Sequence, residues 1–277
     1  MQKELQLRII SGILLAVVAL AATWAGGIAF SVLAIVIALL VYSEWSTITR
    51  LGENDLQGNA FGWLSQVVIA GLVLLGEIAW TLPVLGLSTV VAIAWVLLRK
   101  GSWWLPGGIV YAGLTGISLS AIRDDAHIGL IAMIFVFAVV WATDILAYFV
   151  GRAIGGPKLA PKISPGKTWS GAIGGALSGV LAGTAVYMVE FSSLDVRIPI
   201  LAAVLSVFSQ IGDLFESFIK RRFGVKDSGR IIPGHGGVMD RVDGLVFASF
   251  AALFVALMTI LAQGAQGQLV GAALLGL

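Results

Sequence analysis

The chain contains no cysteine, and only 12% of its 277 residues are charged. The first absence removes disulfide frameworks and thiolate chemistry, and says nothing about the compartment. The second excludes an ordinary soluble domain, which would carry about twice that share of charge. No repeat of 20 to 50 residues, coiled-coil heptad or low-complexity tract is present either. What the chain has in quantity is apolar surface: 58% of its residues are hydrophobic and mean hydropathy is +0.99. The bilayer is therefore its main solvent.

Nine apolar runs, near 8–24, 27–43, 63–80, 84–98, 105–122, 129–150, 171–190, 198–219 and 242–263, predict an all-α, polytopic membrane bundle of about nine spanning helices. The first two are joined only by Gly26 and Gly27, so the first run reads as one arm of a helical hairpin and not as a cleaved leader. Nine spans put the termini on opposite sides. With the N-terminus in the cytoplasm, 15 of the 17 Lys and Arg fall inside, and only Arg123 and Arg197 outside. The net charge of +2 conceals a basic cytoplasmic face, suited to anionic headgroups and nucleotides.

Residues 1–125 form a part sparse in chemistry, expected to supply packing, dimer or lipid-facing helices, with Glu44 and the Arg99–Lys100 pair at span ends. Trp45, Trp63, Trp80, Trp103 and Trp104 fit an aromatic belt at the interfaces. Residues 126–277 form the expected catalytic part, because they carry two long loops, 151–170 and 220–241, rich in Lys, Gly and Pro. Between those loops Gly171, Gly175, Gly179 and Gly183 recur every four residues, a stripe that lets another helix approach backbone to backbone.

Asp213 lies seven residues before Lys220, roughly 10 Å below the end of its helix. A carboxylate at that depth needs a polar cavity, a cation or a metal. Glu216, three residues on, can pair with Lys220, and Asp213 could then simply pair with some other cation. Asp240 and Asp243 share one face of the first turn of the last span, where carboxylates also favour the helix dipole. With Asp213 they form a candidate divalent-metal set. Gly234, Gly236 and Gly237 flank His235 in a turn whose N–H groups can approach phosphate. The GKT at 166–168 resembles a Walker A end, but Pro161 replaces the earlier glycine and no parallel sheet is expected, so that reading fails. There remain Lys158, Lys162 and Lys167 on a Pro-stiffened loop near the intramembrane Asp144.

The stretch from Ser217 to Asp243 resembles the signature of the phosphatidate cytidylyltransferases, also called CDP-diacylglycerol synthases. It is filled without a gap by Ser217, Lys220, Arg221, Lys226, Asp227, Gly229, Ile232, Pro233, His235, Gly236, Gly237, Asp240, Arg241 and Asp243. GDLFES at 212–217, SPGKTW at 164–169 and the Thr143–Asp144 and AYFVGR segments extend the likeness over nearly the whole chain. Ile145, Leu146 and Ser170 depart from the pattern.

The resemblance implies transfer of CMP from CTP to phosphatidic acid, yielding CDP-diacylglycerol and pyrophosphate. It implies Mg²⁺, with a potassium ion alongside, near Asp213 and Asp240, and a homodimer in the bacterial inner membrane with its active site facing the cytoplasm. Catalytic roles then fall to Asp213, Asp240, Asp243, Lys226 and His235, with Asp213, Asp240 and Asp243 as metal ligands. Substrate-binding roles fall to Ser164, Lys167, Lys220, Arg221, Asp227, Gly236, Gly237, Arg241 and Asp144. No nucleic-acid partner is expected. The alternatives are a CTP-dependent lipid kinase of the dolichol kinase type, which would need His235 as a base, and a cation or lipid transporter running through Asp144 and Asp213.

Overall fold

A computed structural model describes residues 2–124, 126–192, 195–234, 236–264 and 268–277. The helices are α1 (Gln2–Ala25), α2 (Gly27–Ile48), α3 (Leu51–Asn54), α4 (Leu56–Leu74), α5 (Ile78–Arg99), α6 (Trp104–Ile122), α7 (Ile128–Ile154), α8 (Trp169–Phe191), α9 (Arg197–Arg222), α10 (Met239–Gln263) and α11 (Val270–Leu275). Two short strands, β1 (Lys158–Ala160) and β2 (Ser164–Thr168), stand between α7 and α8.

Among the described residues, seven helices are long and apolar enough to cross a membrane: α2 and α5 to α10. The chain is a polytopic helical membrane protein. A shorter apolar stretch, Ile9–Ala25, lies in α1. The third expected span corresponds to α4, which does not reach the same apolarity; Gln57, Asn59, Ser65 and Gln66 fall within it. Nine spans are thus not reached on length and composition alone.

The break between the third and fourth runs also moves. It was expected near Pro83, but the chain turns at Gly76, whose φ is +76°, and Pro83 lies inside α5. A left-handed turn costs glycine no Cβ clash, whereas a proline near a helix start forfeits one backbone bond without ending the helix.

The chain divides into two units: Met1–Ala121 with Phe223–Arg241, and Ile122–Arg222 with Val242–Leu277. In the first, polar side chains link the helices. Tyr42 and Ser46 of α2 meet Asn59 of α4, and Gln66 donates to the Ile109 carbonyl of α6 at 3.1 Å. Trp45 is not part of an interfacial belt: it is 2% exposed, packs against Gly107 and Gly108, and donates its indole N–H to the Trp104 carbonyl at 2.9 Å. A buried Trp N–H needs such a partner. Trp80 and Trp103 remain exposed.

In the second unit α8 lies along α7 through the glycine stripe. A methyl added at Gly175 would stand 2.6 Å from the Thr143 carbonyl oxygen, and one at Gly183 2.6 Å from Val139 Cγ2. The stripe is therefore a backbone contact, as its spacing predicts. Polar bonds hold α9 against this pair: the Thr143 and Ser206 hydroxyls are 2.7 Å apart, and Gln210 donates to the Ala172 carbonyl at 3.2 Å.

Candidate active site

The loop between α7 and α8 is a β-hairpin tied down at both ends. Antiparallel pairing sets Lys158 opposite Thr168 and Ala160 opposite Ser164. The Trp169 N–H donates to the Pro157 carbonyl at 3.0 Å, and the Ser170 hydroxyl donates to the Gly155 carbonyl. Thr168 caps α8 by accepting from the Gly171 N–H at 3.1 Å. These bonds fix the strand that carries Lys167, and its ammonium meets the Asp213 carboxylate of α9. Lys158 and Lys162 are exposed, and Ser164 begins β2.

Asp144 of α7 and Asp243 of α10 lie within electrostatic range of both Asp213 and Lys167. The helices come this close because glycine faces them. A methyl at Gly212 would collide with the Asp243 carbonyl, and one at Gly244 would stand 2.7 Å from Ser209 Oγ and 3.7 Å from Asp144 Oδ2. Ser209 Oγ is buried without a hydrogen-bond partner. Asp144 is exposed, and Asp213 keeps 36% of its side chain accessible. Exposed carboxylates inside a spanning helix belong in a polar cavity.

One turn along α9, Glu216 is 1% exposed and pairs with Lys220 at 2.7 Å. Arg221 is exposed in the last turn of the same helix. Both pairings that the sequence allowed as a structural alternative are thus present, but they differ in kind. Glu216–Lys220 is buried, whereas Lys167–Asp213 is open and crosses between two elements.

The signature loop of the first unit is organised by two carboxylates. Asp240, at the start of α10, accepts at Oδ2 from the Ser228 N–H at 2.8 Å, the Ser228 hydroxyl at 2.9 Å and the Gly237 N–H at 2.9 Å. Glu44 of α2, 3% exposed, accepts from the Val238 N–H and the Met239 N–H, each at 2.8 Å, and at 2.8 Å competes with Asp240 for the one proton of the Ser228 hydroxyl. Hydrogen bonds to a charged group contribute about 1.5–3 kcal/mol each, enough together to offset the several kcal/mol needed to bury the Glu44 charge. Gly236 closes a bridge with Ile232, while Lys226, Asp227 and Arg241 are exposed around this core. His235 lies outside the described residues.

The structure therefore brings Asp144, Lys167, Asp213 and Asp243 together in one unit, and Asp240, Gly237 and Ser228 in the other. Sequence reading missed Glu44, Ser228 and Ser209. By position Glu44 reads as an end-of-span anchor, and the signal against that is its place within the apolar run VYSEWSTI.

Among the described residues, no three His, Asp or Glu side chains are already gathered as a metal centre. The second unit nevertheless offers hard oxygen donors from three carboxylates, an orphaned buried hydroxyl and a cation already among them. That donor set fits a hard divalent ion.

The fold is that of a polytopic helical membrane protein, and its second unit gathers three carboxylates carried on helices around a lysine carried on a strand. The family model for the Cytidylyltransferase family matches residues 6–261, and the chain belongs to that family. A protein named phosphatidate cytidylyltransferase from Brucella abortus biovar 1 (strain 9-941) is 44% identical over 260 residues, covering 91% of this chain and 94% of the relative. Proteins of the same name from Haemophilus influenzae and Staphylococcus haemolyticus are 42% and 41% identical over 144 and 140 residues. Those two matches cover 50% of this chain each, and 49% and 53% of the relatives.

Proposed function

We propose that the chain is a phosphatidate cytidylyltransferase: it transfers CMP from CTP to phosphatidic acid, forming CDP-diacylglycerol and pyrophosphate. The observation that carries this is the 44% identity running over 94% of a relative bearing that name. The geometry of the second unit agrees with it.

The nucleophile is a phosphate oxygen of phosphatidic acid, already ionised at neutral pH, so no general base is required. It attacks the α-phosphorus of CTP; a new P–O bond forms and the bond to the bridging oxygen of pyrophosphate breaks. The protein's task is to bring two polyanions together. Lys167, fixed by its hairpin, exchanges its contact with Asp213 for phosphate oxygens. Asp213, Asp243 and Asp144 would hold Mg²⁺, which as a bound Lewis acid neutralises charge on the reacting phosphates. In the first unit, Lys226 and Arg241 stand exposed beside the loop ordered by Asp240 and offer cations to anionic groups. A potassium ion alongside Mg²⁺, and assembly as a homodimer, belong to this reading.

The inner membrane of a bacterium is the proposed location, with both basic loops in the cytoplasm where CTP is found. The 15-to-2 division of Lys and Arg supports that orientation. The acyl chains then never leave the bilayer. Purified protein supplied with CTP, phosphatidic acid and Mg²⁺ should produce a lipid heavier by one CMP unit, and a chelator should stop it. A lipid of unchanged mass would refute the assignment.

A further inference from the structure

Ser228 carries one hydroxyl proton, yet its Oγ stands 2.8 Å from Glu44 Oε2 and 2.9 Å from Asp240 Oδ2. It can donate to only one of them at a time. The same hydroxyl also lies 3.3 Å from the Asp240 N–H. Ser228 is therefore a joint between a carboxylate of an N-terminal helix and one of the signature loop. The loop is wrapped closely around the first: a methyl at Gly229 would stand 2.6 Å from Glu44 Oε1, and one at Gly237 2.5 Å from Glu44 Oε2. Glu44 also accepts the Val238 and Met239 N–H groups, which lead directly into Asp240.

We infer that Glu44 is a positioning residue for the reaction: through Ser228 and the N–H groups of 238 and 239 it fixes the orientation of the Asp240 carboxylate and the loop around it. An ordinary end-of-span anchor would face headgroups, but this carboxylate is buried, spends both oxygens on the loop, and is reached across 184 to 195 residues of sequence. The role given to the loop rests on the function proposed above, while the clamp itself is independent of it.

Two measurements separate those claims. Amide hydrogen exchange on the full chain in detergent or nanodiscs, wild type against Glu44→Gln, reports the clamp without reference to activity. Faster exchange is expected at Val238 and Met239, and also at Ser228 and Gly237, whose N–H groups bond to Asp240 and not to Glu44. Unchanged exchange, or a change confined to 238 and 239, would overturn the inference.

Kinetics then test positioning. Glu44→Gln should lower kcat for CDP-diacylglycerol formation by tenfold to a hundredfold, the order expected when a group is displaced by about an ångström, with KM for phosphatidic acid little changed. Ser228→Ala, which removes only a hydroxyl, should lower kcat in the same sense. The double variant should lose less than the product of the two single losses, because the two side chains share one contact. Multiplicative losses, or near-normal kcat in both single variants, would refute the role. Failure of the wild type to make CDP-diacylglycerol would sink the proposed function and leave the clamp to be judged by exchange alone.

Discussion

Replacing Lys167 by Met separates stability from chemistry. The ion pair it makes with Asp213 is open, with 26% of the lysine and 36% of the aspartate side chain accessible. Such a pair contributes no more than about 1 kcal/mol, since solvent screens it and two mobile side chains must be ordered. In a domain of this size that is a shift of about 2–4 °C or less in Tm. The hairpin keeps its own bonds, because none of them uses the Lys167 side chain. Turnover should respond far more strongly, as a fixed cation aimed at reacting phosphates is worth about 3 kcal/mol, or on the order of a hundredfold. The variant should also bind Mn²⁺ more tightly in the absence of nucleotide, because Asp213 no longer holds an ammonium. Thermal unfolding in detergent, CDP-diacylglycerol formation at limiting CTP, and Mn²⁺ titration supply the three readouts. Normal activity at limiting CTP with unchanged Mn²⁺ affinity would show that Lys167 only anchors its loop.

The other expectations are as specific. Lys220→Met should destabilise more than Lys167→Met, by about 3 kcal/mol, because it strips a partner from Glu216, which is 1% exposed; the order of the two melting temperatures decides this. Asp213→Asn and Asp243→Asn should each cost orders of magnitude in turnover while leaving the protein folded, as judged by activity beside circular dichroism. Gly175→Ala sets a methyl 2.6 Å from the Thr143 carbonyl and should cost about 1–3 kcal/mol by forcing α7 and α8 apart, visible as a lowered melting temperature. Cysteines introduced at Lys162 and Arg230 should be labelled from the cytoplasmic side only, and one at Val196 from the opposite side only.

What the sequence revealed depended on whether the information was local. The glycine stripe of α8 was legible because a helical period is a local property, and the contact with α7 follows from it. Asp213 stood out because a carboxylate in an apolar helix is costly wherever its partner lies. The hairpin was read as a loop, since Lys and Pro disguise strands of three and five residues. The break at Gly76 was misplaced because hydropathy sees the proline and not the left-handed φ. Glu44 was the largest omission. Its meaning lies in N–H groups some 195 residues away, and no periodicity or composition near residue 44 encodes them. Trp45 failed for a related reason: an amphipathic ring suits an interface and a core equally, and only the Trp104 carbonyl decides between them.

The fate of the CTP phosphates tests the central claim most directly. Purified protein is given phosphatidic acid, Mg²⁺ and CTP labelled in either the α- or the γ-phosphate, and label is counted in the lipid and aqueous phases. Cytidylyl transfer predicts that the α-label enters the lipid and that the γ-label leaves as pyrophosphate. γ-Label in the lipid, with CDP released to water, would contradict it and mark the protein as a lipid kinase.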